Sequence, residues 1–360
     1  PPQSSQSISY PSIRIGITVT KSLPKKNTSH GFALAAVLWL MAGLSIVVAL
    51  IADTTQASAE RVAQLRERTD FVQSALSARA NAQYWLSASR LRSSDFFDGA
   101  YSVRADNTPY KIDTKTIISL QDNGGLVNLN RVNRDILSNF LTGCGVPAET
   151  TPYLIDALLD YVDTDNLQRL NGAEQDIYSA KRLPLPRNSP LLSEDEIWNV
   201  YGWSQYRRLL EQNSCDKSWT IYGESSMFGS NLNLATAPAP VLKAAGLNEE
   251  MVRDIVTQRA DTENLAARVS NANELLGTSG PFGASAQVQN ILKVTHRHVR
   301  GPWILRYTLA LSADGEDRPW SVLNPVFSAE LQPVDKIQPL SWPQQPVNQQ
   351  PSDASRSLPF

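Results

Sequence analysis

The sequence predicts an α+β fold: a long N-terminal transmembrane helix, then a small antiparallel sheet interrupted by a large, mainly α-helical insertion. Three observations predict it. Phe32 to Ala52 (FALAAVLWLMAGLSIVVALIA) contains no charged residue. The polar stretch behind it, 54–92, lacks Pro and Gly and is rich in Ala, Leu, Gln, Glu and Arg, so the helix continues. Two groups of β-branched and aromatic residues, after Gly99 and from Trp303, are separated by a long run of short helical patterns and loops.

At 360 residues the chain is long enough for more than one folding unit. Its 33 basic and 35 acidic residues give a net charge of -2, which argues against a general nucleic-acid-binding surface. The charge is unevenly placed. The first 31 residues hold Arg14, Lys21, Lys25 and Lys26 and no acid, hence +4, and the remainder carries -6. With 42% hydrophobic and 19% charged residues, the chain can build a core and is not compositionally disordered. Two cysteines and three histidines disfavour a Cys/His zinc cluster. The first residue is Pro1 rather than Met, so the natural start is expected upstream.

The uncharged run, at 1.5 Å per residue, makes a helix of about 31 Å, the thickness of a bilayer's hydrocarbon core. Lys25 and Lys26 precede it while Asp53 and Glu60 follow. The positive-inside rule therefore keeps the N-terminal arm in the cytoplasm and exports everything after Ala52. A cleavable secretory signal is the competing reading, and the long apolar run leading straight into a polar helix disfavours it. In that polar part Val62, Leu65, Val72, Ala75, Leu76 and Leu86 recur at helical spacing and form a face able to pack on a domain. Arg79 falls on the same face, where its stem can lie along apolar surface.

Beyond Gly99, AYSVRADNTPYKIDTKTIISLQD reads as a hairpin or meander around turn signals at Asn107 and Pro109. Residues 303–311 place Trp303, Leu305, Tyr307, Leu309 and Leu311 on one strand face, and 318–331 can pair with them across Ala313-Asp314-Gly315. The expected layout is a basic leader at 1–31, the helix at 32–92 with its membrane span at 32–52, and strands at 93–130. A helical insertion at 131–299 follows, then strands at 300–331. The Pro- and Gln-rich tail, 332–360, is expected to be disordered.

The insertion holds a faint repeat. Gly125-Leu126-Val127-Asn128-Leu129-Asn130 and Ser230-Asn231-Leu232-Asn233-Leu234-Ala235 each lead into a short helix, a Gly-containing turn and a second helix. The lead-in asparagines are suited to cap those helices. The second copy resembles a helix-hairpin-helix module. Its turn, Ala244-Ala245-Gly246-Leu247-Asn248, has one Gly and is followed by Glu249 and Glu250, which repel phosphate, so a packing unit is the better reading.

The strongest chemical signal is LIDALLDYVDTDNLQRLNGAEQDIY at 154–178. Asp156, Asp160 and Asp163, spaced by four and three, share one helix face. A loop with Asp163, Asp165, Asn166, Asn171, Gly172, Glu174 and Asp176 follows. A hard cation such as calcium takes six to eight oxygen ligands. Asp163, Asp165 and Glu174 stand at offsets 1, 3 and 12, yet Leu167 and Gln168 occupy the EF-hand's fifth and sixth positions, so this is not an EF-hand. On chemistry alone a calcium loop and a solvated helix end weigh equally. In an oxidising compartment Cys144 and Cys215 can form a disulfide, and the sequence leaves open whether they do. His296 and His298 have no third ligand nearby and read as surface residues rather than a metal pair.

The run Lys25-Lys26-Asn27-Thr28-Ser29-His30-Gly31 before Phe32, with the long helix behind it, resembles the N-terminus of type IV pilin-like proteins. That resemblance implies cleavage by prepilin peptidase between Gly31 and Phe32. Ordinary pilins carry Glu at the fifth mature position, to pair with a neighbour's amine inside the lipid; here that position is Ala36. The absent Glu, the stretch Asp163 through Glu174 followed by Tyr178, and Arg187-Asn188-Ser189-Pro190-Leu191 through Glu196 to Gly202 resemble the K-type minor pseudopilin family of type II secretion (general secretion pathway protein K). The likeness runs from about Gly31 to Leu331. In that family a cysteine often precedes the first Asn-Leu-Asn; Gly124 and Gly125 stand there instead, so Cys144 is not a motif match.

The resemblance implies a pseudopilin sheet with an inserted calcium-binding helical domain. It implies calcium as a structural cofactor held by Asp163, Asp165 and Glu174, with Asn171 or Asp176 as additions. The expected protein is not an enzyme: it starts the pseudopilus at its tip. Its partners would be I- and J-type minor pseudopilins, the inner-membrane secretion platform and prepilin peptidase, with no nucleic acid. The alternative is a membrane-anchored helix-hairpin-helix DNA-binding protein of a competence-like system. A periplasmic enzyme lacks a recognisable nucleophile–base pair.

Overall fold

A computed structural model describes residues 30–131, 133–223, 232–276, 288–311, 320–329 and 338–343. Two compact units divide the chain, Pro1–Leu65 and Arg66–Phe360. The basic leader up to Ser29 lies outside the described residues; His30 and Gly31 already belong to α1, His30–Ala88. Among the described residues α1 is the one helix long and apolar enough to cross a membrane, with mean hydropathy 2.6 in its apolar window. Its first part is exposed throughout, as a lipid-facing helix is: Phe32, Trp39 and Leu40 are 78%, 81% and 71% exposed.

In the second unit α1 lies on a six-stranded sheet. Its buried stripe is Phe71, Ala75, Ala78, Ala82, Trp85 and Leu86, steps of three and four that keep one helical face inward. The stripe expected from sequence is therefore rotated: Leu76 is exposed, as are Val62 and Leu65 in the first unit. Alanines carry little hydrophobic weight in a pattern, yet they let helix and sheet approach closely. Arg79 does lie on apolar surface, its guanidinium 5.9 Å from the Tyr307 ring centroid.

The sheet order is β10-β9-β8-β5-β4-β11. Its strands are β4 (Asp106–Lys111), β5 (Thr116–Asp122), β8 (Ile291–His298), β9 (Trp303–Leu311), β10 (Trp320–Ala329) and β11 (Leu340–Ser341). All neighbouring pairs are antiparallel except β11 with β4, which is parallel. A small antiparallel sheet, β1 (Arg90–Leu91), β2 (Asp95–Phe97) and β3 (Ser102–Arg104), follows α1. As expected, Leu305, Tyr307 and Leu309 of β9 enter the core beneath α1, and β10 pairs with β9. The Ala313-Asp314-Gly315 turn lies outside the described residues.

Three strand expectations need correction. Asn107 and Pro109 sit within β4, at an irregularity in its pairing with β5. The turn falls instead at Asp113, whose carboxylate accepts from Lys115 N and Thr116 N. The insertion does not run to 299, because β8 belongs to the sheet between β5 and β9. His296 on β8 is accordingly buried beside Tyr307 Oη at 2.9 Å, not a surface residue. Finally, Leu340 and Ser341 of the expected disordered tail pair with β4, and buried Trp342 packs edge-on against Trp85 and Tyr110; the tail after Pro343 lies outside the described residues.

Residues 123–290 thus leave the sheet from β5 and return at β8, its antiparallel neighbour. Buried Asp122 fastens both ends. It accepts from Gly124 N at the exit, Gln289 N at the return, and Asn233 Nδ2 and Thr236 Oγ1 from the repeat's second copy. Burial pushes its carboxyl up to about 6, opposed by those hydrogen bonds.

The insertion has its own core, separate from that under the sheet. It contains α2 (Arg134–Gly143), α3 (Thr151–Val162), α4 (Gln175–Lys181), α5 (Arg207–Gln212), α6 (Ala239–Ala244), α7 (Glu249–Thr257), α8 (Thr262–Leu276), and a parallel pair of β6 (Val127–Asn128) and β7 (Trp219–Thr220). The repeat is real in its turns. Gly145 and Gly246, at φ 93° and 101°, follow α2 and α6. The next N–H reaches back to Leu141 O in one copy and Leu242 O in the other, the same helix-ending motif twice. The lead-in asparagines are not the caps: Asn133 caps α2 and Asn248 caps α7. Asn130 bridges Leu191 and Ile221 backbone, Asn233 holds Asp122, and Asn231 lies outside the described residues.

Candidate functional site

Helix α3 carries Asp156 and Asp160 inward, 4% and 0% exposed, and Asp163 is its C-cap. The chain then loops out and returns at Gly172, with Glu174 immediately before α4. One carboxylate oxygen each from Asp160, Asp163 and Glu174 lies within 4.8 Å of the others. The return is possible only without a side chain: a Cβ on Gly172 would stand 1.9 Å from Asp160 Oδ2. Asn188, in the run after the loop, braces it by donating to Asp165 O and Asn166 Oδ1, both within 2.9 Å. In the same run Arg187 pairs with Glu196 at 3.3 Å, and Tyr161 Oη donates to Glu196 Oε1.

The three carboxylates are unequally served. Arg169 Nη1 stands between two of them, 2.6 Å from Asp160 Oδ1 and 2.5 Å from Asp163 Oδ2. Those bonds hold its guanidinium protonated above the usual range. Glu174 is only 5% exposed, and neither of its carboxylate oxygens finds a hydrogen-bond partner; Asp163 Oδ1 has none either. Burial, then the charges of Asp160, Asp163 and Asp165, push the Glu174 carboxyl up to about 7. A buried carboxylate without donors is costly. A divalent cation satisfies such oxygens directly, so the donor set, all hard oxygen, fits calcium.

The expected ligands are only partly brought together. Asp163 and Glu174 come together, and they are joined by Asp160 rather than by Asp165, Asn171 or Asp176. Asp165 is exposed and accepts from Leu167 N. Asn171 turns to Asp156, donating to Oδ2 from both N and Nδ2, while Asp156 also pairs with Arg134. Asp176 is exposed in the first turn of α4. The signal for Asp160 was its spacing of three from Asp163. Elsewhere Cys144, the C-cap of α2, is bonded to Cys215 across 71 residues.

Residues 117–211 match the family model described as Type II secretion system (T2SS), protein K. Over that quarter of the chain the segment is similar to type II secretion protein K. It contains Asp160, Asp163, Arg169, Gly172 and Glu174. The type II secretion system protein K of Pectobacterium carotovorum subsp. carotovorum is 31% identical over 126 residues, 33% of this chain and 36% of that protein. The match thus spans about a third of that relative's length. Among solved structures, one chain is from the crystal structure of the GspK-GspI-GspJ complex of the enterotoxigenic Escherichia coli type 2 secretion system. It is similar at TM-score 0.48 and 18% identity, over 75% of this chain and 100% of that one.

Proposed function

We propose that this protein is a K-type minor pseudopilin that begins the type II secretion pseudopilus at its tip. The observation that carries the reading is the match of residues 117–211 to the protein K family model. The N-terminal apolar helix supports an inner-membrane anchor, with the short arm cytoplasmic and the bulk periplasmic. Its partners are I- and J-type minor pseudopilins and the secretion platform, and prepilin peptidase is its maturation enzyme. With Ala36 in place of Glu, the subunit offers no carboxylate to the amine of a subunit ahead of it. It therefore stands first, with its own Phe32 amine free for the Glu of the next.

Calcium is a structural cofactor in this reading. Asp160, Asp163 and Glu174 would hold it, and its charge would neutralise carboxylates that otherwise repel one another across the α3–α4 loop. Maturation gives the direct test. Mass spectrometry of protein extracted from membranes of cells with active prepilin peptidase should find Phe32 as the first residue. An intact leader in those cells contradicts the assignment.

A further inference from the structure

Arg169 Nη1 lies 2.6 Å from Asp160 Oδ1 and 2.5 Å from Asp163 Oδ2. Calcium sits 2.3–2.6 Å from its oxygen ligands. The guanidinium nitrogen therefore occupies, with respect to these two carboxylates, the locus a calcium ion would take. The side chain is not locked there: it is 35% exposed, whereas Asp160 is wholly buried. The backbone also keeps a hold on Asp160, through Arg169 N at 3.2 Å from Oδ2. The third carboxylate, Glu174, is left without a donor although almost wholly buried. One monovalent group thus serves two of three carboxylates, and the third points to a ligand of higher charge.

We propose that Arg169 is an internal counter-cation that competes with calcium for this site, bridging Asp160 and Asp163 in the calcium-free protein and swinging to solvent when the ion binds. The inference rests on the calcium reading above. Its consequence is a compromise. Arg169 keeps the loop folded before calcium is met, and every binding event must first break its two charge-assisted bonds, which weakens the apparent affinity. Replacing Arg169 should thus move stability and affinity in opposite directions, which a merely structural ion pair does not do.

The experiment titrates calcium into the full chain in detergent micelles, by chelator competition, for wild type, R169Q and R134Q. Arg134 pairs with Asp156 outside the cluster, so R134Q removes the same charge without vacating the site. R169Q is purified in calcium to keep it folded. It should bind calcium at least tenfold more tightly than wild type and melt several degrees lower in chelator, while R134Q changes affinity less than threefold. R169K, which keeps an internal cation, should stay nearer to wild type than to R169Q. Equal or weaker binding by R169Q overturns the proposal, as does equal tightening by R134Q, which reduces it to general electrostatics. If neither wild type nor R169Q binds calcium, the site reading itself fails and the proposal falls with it.

Discussion

Gly172 and Asp160 are in contact so close that no other residue fits at 172. G172A would force a methyl against Asp160 Oδ2, at a cost of about 1–3 kcal/mol for overpacking. It should also disturb the cluster. Extracytoplasmic calcium sites have dissociation constants of about 10⁻⁴–10⁻³ M, and a tenfold excess stabilises by about 1.4 kcal/mol. Calcium should raise the wild-type melting temperature by a few degrees over chelator, and G172A should melt lower with most of that shift lost. A full calcium shift in G172A would remove this cluster as the site. The motif from Asp163 to Glu174 was legible in the sequence, but which carboxylates come together was not. A linear reading assigns ligands by offset along the loop, whereas α3 turns Asp160 inward and leaves Asp165 and Asp176 in solvent.

His296 gives a second residue-scale test. Burial, then the nearby charge of Arg79, lowers its pKa from 6.5 to about 3. The unfolded chain takes a proton there below pH 6.5 and the folded chain does not. The stabilising contribution is therefore fully present above pH 6.5 and is lost as pH falls toward 3. By pH 5 the loss from this group is about 2 kcal/mol. H296Q keeps a polar partner for Tyr307 and should lose correspondingly less stability between pH 7 and pH 5, measured by denaturant melts at each pH. Identical pH slopes would contradict this account.

At the scale of elements, the sequence pattern missed Phe71 and Trp85 on the buried face of α1 and placed exposed Leu76 there. Alternation and helical period were read correctly elsewhere. The period-2 pattern of β9 is one case, and the helices of the repeat are another. They misled where burial falls on small or polar residues. Three of the six residues on the buried stripe of α1 are alanines, and β8 hides Leu292, Val294 and His296 among Lys293, Thr295 and Arg297. Trp342, in a Pro- and Gln-rich stretch, is held by a long-range pocket that no local pattern signals. The Cys144–Cys215 bond joins the first helical hairpin to the segment after α5. Closing a loop of 71 residues stabilises by about 4 kcal/mol in the chain-entropy account. Reduction, or C144S with C215S, should lower the unfolding free energy of the insertion by about that amount, read as a lower denaturant midpoint. An unchanged midpoint would mean that the bond contributes little.

At the scale of the molecule, a helical domain with a core of its own is spliced between two neighbouring antiparallel strands, β5 and β8, of a sheet that carries α1. The spliced architecture was legible because strand-like segments bracket a helical run. The end of the insertion was not, because β8 carries so many polar residues. In the proposed function, the bulky inserted domain and Ala36 in place of Glu suit the end at which assembly would begin. In that function this protein would be the first subunit of a minor-pseudopilin assembly. The most direct test of that role mixes the soluble region from Thr55 with I- and J-type minor pseudopilins and weighs the products by light scattering after size exclusion. One complex of defined stoichiometry is expected with the partners present, and no ordered polymer of the mature full chain by itself. Self-polymerisation of that chain, or no association with either partner, would contradict that role.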